Sequence, residues 1–218
     1  LNQEDKKRQA EIKTFLAQSS FRKWIEQGEW TKISKTIRKE VAENKRVLND
    51  TNFDLLLYTE NQKSGNKKYN GILDAYALLA TYDKKKTLTV KAQIDQGYAA
   101  AKLGGYKRAK GYYRRALKKT PDKDVDLVLQ LVGELKRLYE RSKDYASLVV
   151  IYKRAYSVLK KSSRPKNESR TYAYLIGYHQ SFHLKQNDKA RIWLMRSDGG
   201  GSTPQELDAA FWVAKLDR

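Results

Sequence analysis

Gly97-Tyr-Ala-Ala-Ala-Lys-Leu-Gly-Gly-Tyr-Lys-Arg-Ala-Lys-Gly-Tyr-Tyr-Arg-Arg-Ala-Leu-Lys-Lys-Thr-Pro121 reads as two short helices that meet at Gly104-Gly105. Ala109, Tyr113 and Ala116 recur at helical spacing on the second helix, and Gly97 and Ala100 leave a thin face on the first, so the two backbones can approach closely. Pro121 cannot continue the helix and stops it.

The same pattern of helix, short turn and helix recurs along the chain. Ile12, Phe15 and Leu16, then Phe21, Trp24 and Ile25, are followed by a break at Gly28-Glu29-Trp30 and a stripe of Ile33, Ile37 and Val41. Phe53 to Tyr58 is an apolar run, Lys63-Ser-Gly-Asn-Lys-Lys68 reads as a turn, and Tyr69, Ile72, Tyr76 and Leu79 restore a stripe. Leu127, Leu131, Leu135, Leu138 and Tyr139 precede a turn at Lys143-Asp144-Tyr145, and Leu148, Tyr152, Ala155 and Leu159 follow it. A further hairpin spans Thr171 to Ser197. A loop from Gly199 to Pro204, with Thr203 as the expected cap, then precedes a last helix carrying Ala210, Phe211, Val213, Ala214 and Leu216. Aligning the turns places Trp30, Tyr69, Tyr106, Tyr145 and Asn187 in equivalent positions, spaced 39, 37, 39 and 42 residues apart.

The stretch from 90 to 123 resembles a tetratricopeptide repeat, a helix-turn-helix unit of about 34 residues. Gly97, Tyr106, Ala109, Tyr113, Ala116 and Pro121 fall on the offsets of that family, whereas its first-helix Trp, Leu and Tyr are Gln93, Gln96 and Ala100 here. The resemblance implies one all-α domain over 1–218: a right-handed solenoid of about five such hairpins plus a final helix, each packing mainly on its neighbours. It also implies a concave groove lined by first helices. On this chain the groove positions are Lys91, Ile94, Tyr98, Ala101 and Lys102, then Gln130, Arg137 and Arg141, then Tyr172, His179 and His183. The Lys and Asn set with which some members clamp a C-terminal carboxylate is not reproduced. Second helices would form the convex surface, and there Lys107, Arg108, Lys110, Arg114, Arg115, Lys118 and Lys119 make a basic stripe with no acid between Gly105 and Lys119.

Bulk composition narrows the partner. Lys and Arg total 45 against 25 Asp and Glu, a formal charge of +20, which favours anionic partners. The chain has no cysteine, which excludes disulfides, thiolate catalysis and Cys-ligated metals. No apolar run approaches the ~18 residues of a membrane span. Residue 1 is Leu, so we expect a processed or excised part of a longer chain.

Signals for catalysis are weak. His179 and His183 share a helical face, but Gln180, Ser181 and Phe182 between them supply no carboxylate for a zinc site. Ser20-Phe-Arg-Lys23 and Ser157-Val-Leu-Lys160 match a Ser-x-x-Lys pattern without its companion motifs. Asn49-Asp-Thr51 and Asn167-Glu-Ser169 fit a glycosylation acceptor. Most of the fifteen tyrosines fall on apolar stripes and are expected to pack, leaving Tyr98, Tyr112, Tyr172 and Tyr174 to face a ligand. The expectation is therefore a noncatalytic scaffold without cofactor or metal, binding an acidic or amphipathic protein segment through Lys91, Tyr98, Lys102, Arg137, Arg141, Tyr172 and His179. Nucleic acid on the basic face is the alternative. A place in a bacterial periplasmic or cell-envelope assembly for motility, secretion or surface polymer is a version of the first reading.

Overall fold

The computed structural model describes residues 10–12, 14, 20–43, 48–198 and 204–216. Among these residues the chain is helical, with no strand. The helices are α1 (Arg22–Glu26), α2 (Trp30–Ala42), α3 (Asp50–Asn61), α4 (Gly65–Tyr82), α5 (Val90–Lys102), α6 (Tyr106–Lys119), α7 (Val125–Arg141), α8 (Tyr145–Lys161), α9 (Lys166–Phe182), α10 (Asn187–Ser197) and α11 (Pro204–Leu216), with a 3-10 turn at Lys86–Leu88 before α5. Two compact units divide the chain, Leu1–Tyr112 and Tyr113–Arg218, and the division falls inside α6.

In the first unit each helix packs on the next from α1 to α5. In the second the same holds from α7 to α11. The sequence sets this order because each helix has a single apolar face and a short connection to its neighbour. Ile33, Ile37, Leu55, Leu56, Ile72, Ala75 and Leu79 form the first core. Leu131, Leu135, Leu148, Ala155, Ile176 and Leu194 are buried in the second unit.

Three hairpin turns share one backbone device. Gly28, Gly104 and Lys143 have φ of +67°, +76° and +52° and stand two residues before α2, α6 and α8. Each donates its own N–H to the carbonyl three residues back, at 3.0 Å. The next residue donates five residues back: Glu29 to Trp24 and Gly105 to Ala100 at 2.8 Å, Asp144 to Tyr139 at 2.9 Å. This is the Schellman closure, which satisfies carbonyls left over at a helix end and requires a left-handed residue at its centre. Lys185, φ +55°, holds the corresponding place before Asn187.

Tyr69 departs from the expected alignment. Helix α4 begins at Gly65, so Tyr69 lies in its second turn, and Gly65 to Lys68 are helical rather than turn residues. The turn is confined to Gln62 to Ser64, and Lys63 within it reaches Glu60 and Ser34 in the unit's interior. The expected cap at Thr203 lies outside the described residues. Pro204 is the first residue of α11, where its fixed φ suits a helix start and its missing N–H costs nothing.

Two polar positions in the first unit are explained by packing. Gln93 and Gln96 lie on α5. Both are buried, and both donate through Nε2 to the Thr87 carbonyl, at 2.5 and 3.1 Å, tying α5 to the 3-10 turn. Glu60 is fully buried on α3, where Arg38 reaches it at 3.0 Å and Lys63 at 2.6 Å. Gly71 of α4 makes room for that carboxylate: a Cβ there would lie 1.7 Å from Glu60 Oε2.

Candidate functional site

Lys91, Tyr98 and Lys102 lie on α5 in the first unit. Tyr98 is 44% exposed, on a helix that buries Ala92, Ala99 and Ala100. Its ring meets Tyr69 edge-on at 5.9 Å, and the Lys102 ammonium lies 5.3 Å from the ring centre. The i, i+4 spacing puts the two residues on one helical face. Lys91 lines a separate cavity of about 300 Å³ with Asp50, Asp54 and Lys86. Lys86 pairs with Asp50 at 2.5 Å, and that hydrogen bond raises the lysine's pKa. Tyr76 also borders this cavity, but its hydroxyl donates to Asp95 at 2.6 Å. Burial, reinforced by the Asp95 charge, holds the phenol far above its ordinary range.

Gln130, Arg137 and Arg141 are exposed on α7 in the second unit. Arg137 is bonded to Glu134 one turn earlier, which raises its pKa. Tyr172 is half-buried and His179 is buried. The Tyr172 ring lies against buried Tyr152 at 5.8 Å. His179 is 7% exposed and packs among Tyr145, Tyr152, Tyr178 and His183. Burial, with smaller contributions from His183 and Lys136, lowers its pKa to about 4, so the ring is neutral near pH 7. His183 stacks on Tyr145 with ring centres 3.7 Å apart and planes 8° apart. The histidine pair is thus an aromatic stack joining α8 and α9. Tyr174 is half-buried, with its hydroxyl bonded to Asp208 of α11. Tyr172 and Tyr174, expected to face a ligand, are therefore engaged internally, because α8 and α11 bring partners that the α9 sequence does not reveal.

Basic charge collects on particular helices. Helices α6 and α8 contain no acidic residue, whereas α3 carries Asp50, Asp54 and Glu60 with no basic one. On α6, Ala109, Tyr113 and Ala116 are buried, while Lys107, Arg108, Arg114, Arg115, Lys118 and Lys119 are exposed and Lys110 is half-buried. Asp122, just beyond α6, accepts from Lys161 at 3.0 Å and pairs with Arg154, which lowers the carboxyl's pKa.

Sequence reasoning missed a cation and aromatic cluster on α8 and α10. Trp193 meets Tyr156 edge-on at 5.0 Å. Arg196 lies 4.6 Å and Lys153 5.6 Å from the Trp193 ring centre, and Lys160 lies 5.9 Å from that of Tyr156. Each cation faces a ring's negative π surface, an attraction of about 0.5–1 kcal/mol at an exposed site. Part of this was visible in the sequence: Lys153, Tyr156 and Lys160 stand at i, i+3 and i+7 on an acid-free helix. The contribution of Trp193 was not, since it comes from the next hairpin.

Among the described residues no group of three or more His, Cys, Asp or Glu could hold a metal ion, and no helix is long and apolar enough to cross a membrane. Comparison with family models and with curated proteins finds no match to this chain.

Proposed function

We propose that this chain is a noncatalytic scaffold of the tetratricopeptide-like kind, a right-handed helical solenoid that binds an acidic or amphipathic protein segment. The Schellman turns recurring before α2, α6 and α8 support the repeat reading. The observation that carries the binding reading is the acid-free composition of α6 and α8, with Lys153, Lys160 and Arg196 set around Tyr156 and Trp193. Like charges along one helix repel, and an acidic partner relieves that repulsion while its apolar groups cover the rings. In the first unit, Tyr98 and Lys102 offer a smaller pair of the same chemistry.

The test is titration with an acidic, amphipathic peptide at low and at raised salt. Affinity should fall with salt, and Lys153→Glu with Lys160→Glu should weaken it by about tenfold or more, equal to about 1.4 kcal/mol. Affinity unchanged by that double charge reversal would exclude this surface. The same cluster favours a second reading, single-stranded nucleic acid, in which bases stack on Trp193 and Tyr156 and phosphates meet the cations. A single-stranded oligonucleotide that displaces the peptide and binds more tightly would select it.

A further inference from the structure

The starts of α2 and α4 and the turn at Gln62 to Ser64 border an open cavity of about 490 Å³ on the surface of the first unit, within the size range of small-molecule sites. Trp30, Lys32, Lys35, Lys63, Ser64 and Lys67 line it, and among the described residues Glu29 is the only acid in its wall. Glu29 is already paired with Lys32 at 2.5 Å.

Lys35 and Lys67 are exposed and have no carboxylate partner among the described residues. Lys63 is held in place, its side chain 12% exposed, with Nζ 2.6 Å from Glu60 and 2.7 Å from Ser34 Oγ. Yet Glu60 is also paired with Arg38, so two cations share one carboxylate and the buried cluster keeps a net positive charge. Lys63 is the member of that cluster that lines the cavity. The first turns of α2 and α4 border the same space, and neither Glu29 nor Ser64 caps its helix through a side chain. A cavity with fixed and flexible ammonium groups, a hydroxyl and an indole, but no unpaired acid, matches the chemistry of a multiply charged anion.

We propose that this cavity binds a polyphosphate group, with Lys35, Lys63 and Lys67 holding the phosphate oxygens and Trp30 forming the wall. The site shares no residue with the cation and aromatic cluster of the second unit. Two sources of the group are distinguishable: inorganic pyrophosphate presents the head alone, and ADP presents it on a nucleoside.

The experiment is isothermal titration of the whole chain with each probe at low salt. The expected result is saturable, one-to-one binding of at least one probe, weakened by about tenfold or more in Lys35→Ala/Lys67→Ala and retained in Lys153→Ala/Lys160→Ala. Both pairs are exposed, so the variants keep their fold. Equal affinity for the two probes assigns recognition to the head, and tighter ADP adds a contact between the nucleoside and the Trp30 wall. Three results overturn the proposal: no saturable binding of either probe up to about 10 mM, binding unchanged by the Lys35/Lys67 pair, or equal weakening by the Lys153/Lys160 pair.

Discussion

Gly71 stands in the middle of α4, where helix propensity alone says that alanine stabilises by about 1 kcal/mol. The structure reverses that sign. A Cβ at position 71 would fall 1.7 Å from Glu60 Oε2 and 2.4 Å from its Cδ, and Glu60 is fully buried with no solvent to move into. Displacing the carboxylate breaks its pairs with Arg38 and Lys63, and Arg38 also donates to the Gly71 carbonyl at 3.1 Å. Disrupting a buried ion pair costs about 3–5 kcal/mol, so Gly71→Ala should lose about 2–4 kcal/mol net. For a unit of this size that lowers the melting temperature by on the order of 10–20 °C. Gly133 of α7 is the control: it is exposed, nothing lies within 4 Å of its built Cβ, and Gly133→Ala should gain about 0.5–1 kcal/mol. Urea denaturation followed by circular dichroism measures both. Glu60→Ala removes the obstacle, so Gly71→Ala in that background should recover its favourable sign, and the double-mutant cycle reports the coupling. A Gly71→Ala protein as stable as the parent, or a cycle with no coupling, would refute the reasoning.

Lys143 takes a left-handed conformation in the turn before α8, so Lys143→Gly should raise stability by about 0.5–1 kcal/mol, read as a higher urea midpoint. His179 is held neutral by burial with a pKa near 4 against 6.5 when unfolded, so the unfolded chain takes up the proton first as pH falls. Its stabilising contribution is complete above about pH 6.5 and is lost on descending to pH 4, by about 3 kcal/mol. His179→Phe keeps the aromatic packing and should flatten that part of the pH profile; an unchanged acid slope would show that another group controls it. Charge reversal at Lys153 and Lys160 removes two exposed cation–ring contacts and should cost about 1–2 kcal/mol of stability, read as a lower urea midpoint with the helical signal kept, while weakening the acidic peptide.

Much of the helical layout can be read locally. The stripe Ala109, Tyr113 and Ala116 is buried as its spacing requires, and Gly28 and Gly104 occupy left-handed turn positions that glycine favours. Tyr69 was misplaced because a tyrosine after a polar run looks the same at the first turn of a helix as at the second. In the structure α4 starts at Gly65, one turn earlier, directly after the turn in which Lys63 reaches Glu60 and Ser34.

Among candidate site residues, Tyr98 and Lys102 could be paired from their four-residue spacing, and they do form a contact. Tyr172, Tyr174 and His179 have equally polar neighbours in sequence but are occupied by Tyr152, Asp208 and Tyr145 from other helices. Residue periodicity records which side of a helix is apolar, and so by itself determined the all-helical class, the order of the hairpins and the location of the basic charge on α6. Only the tertiary structure decided which aromatic rings are consumed in packing, why Gly71 must lack a side chain, and that Trp193 joins Tyr156, Lys153 and Arg196. Those outcomes depend on distances between side chains of different helices, and a 3.6-residue period within one helix carries no information about them.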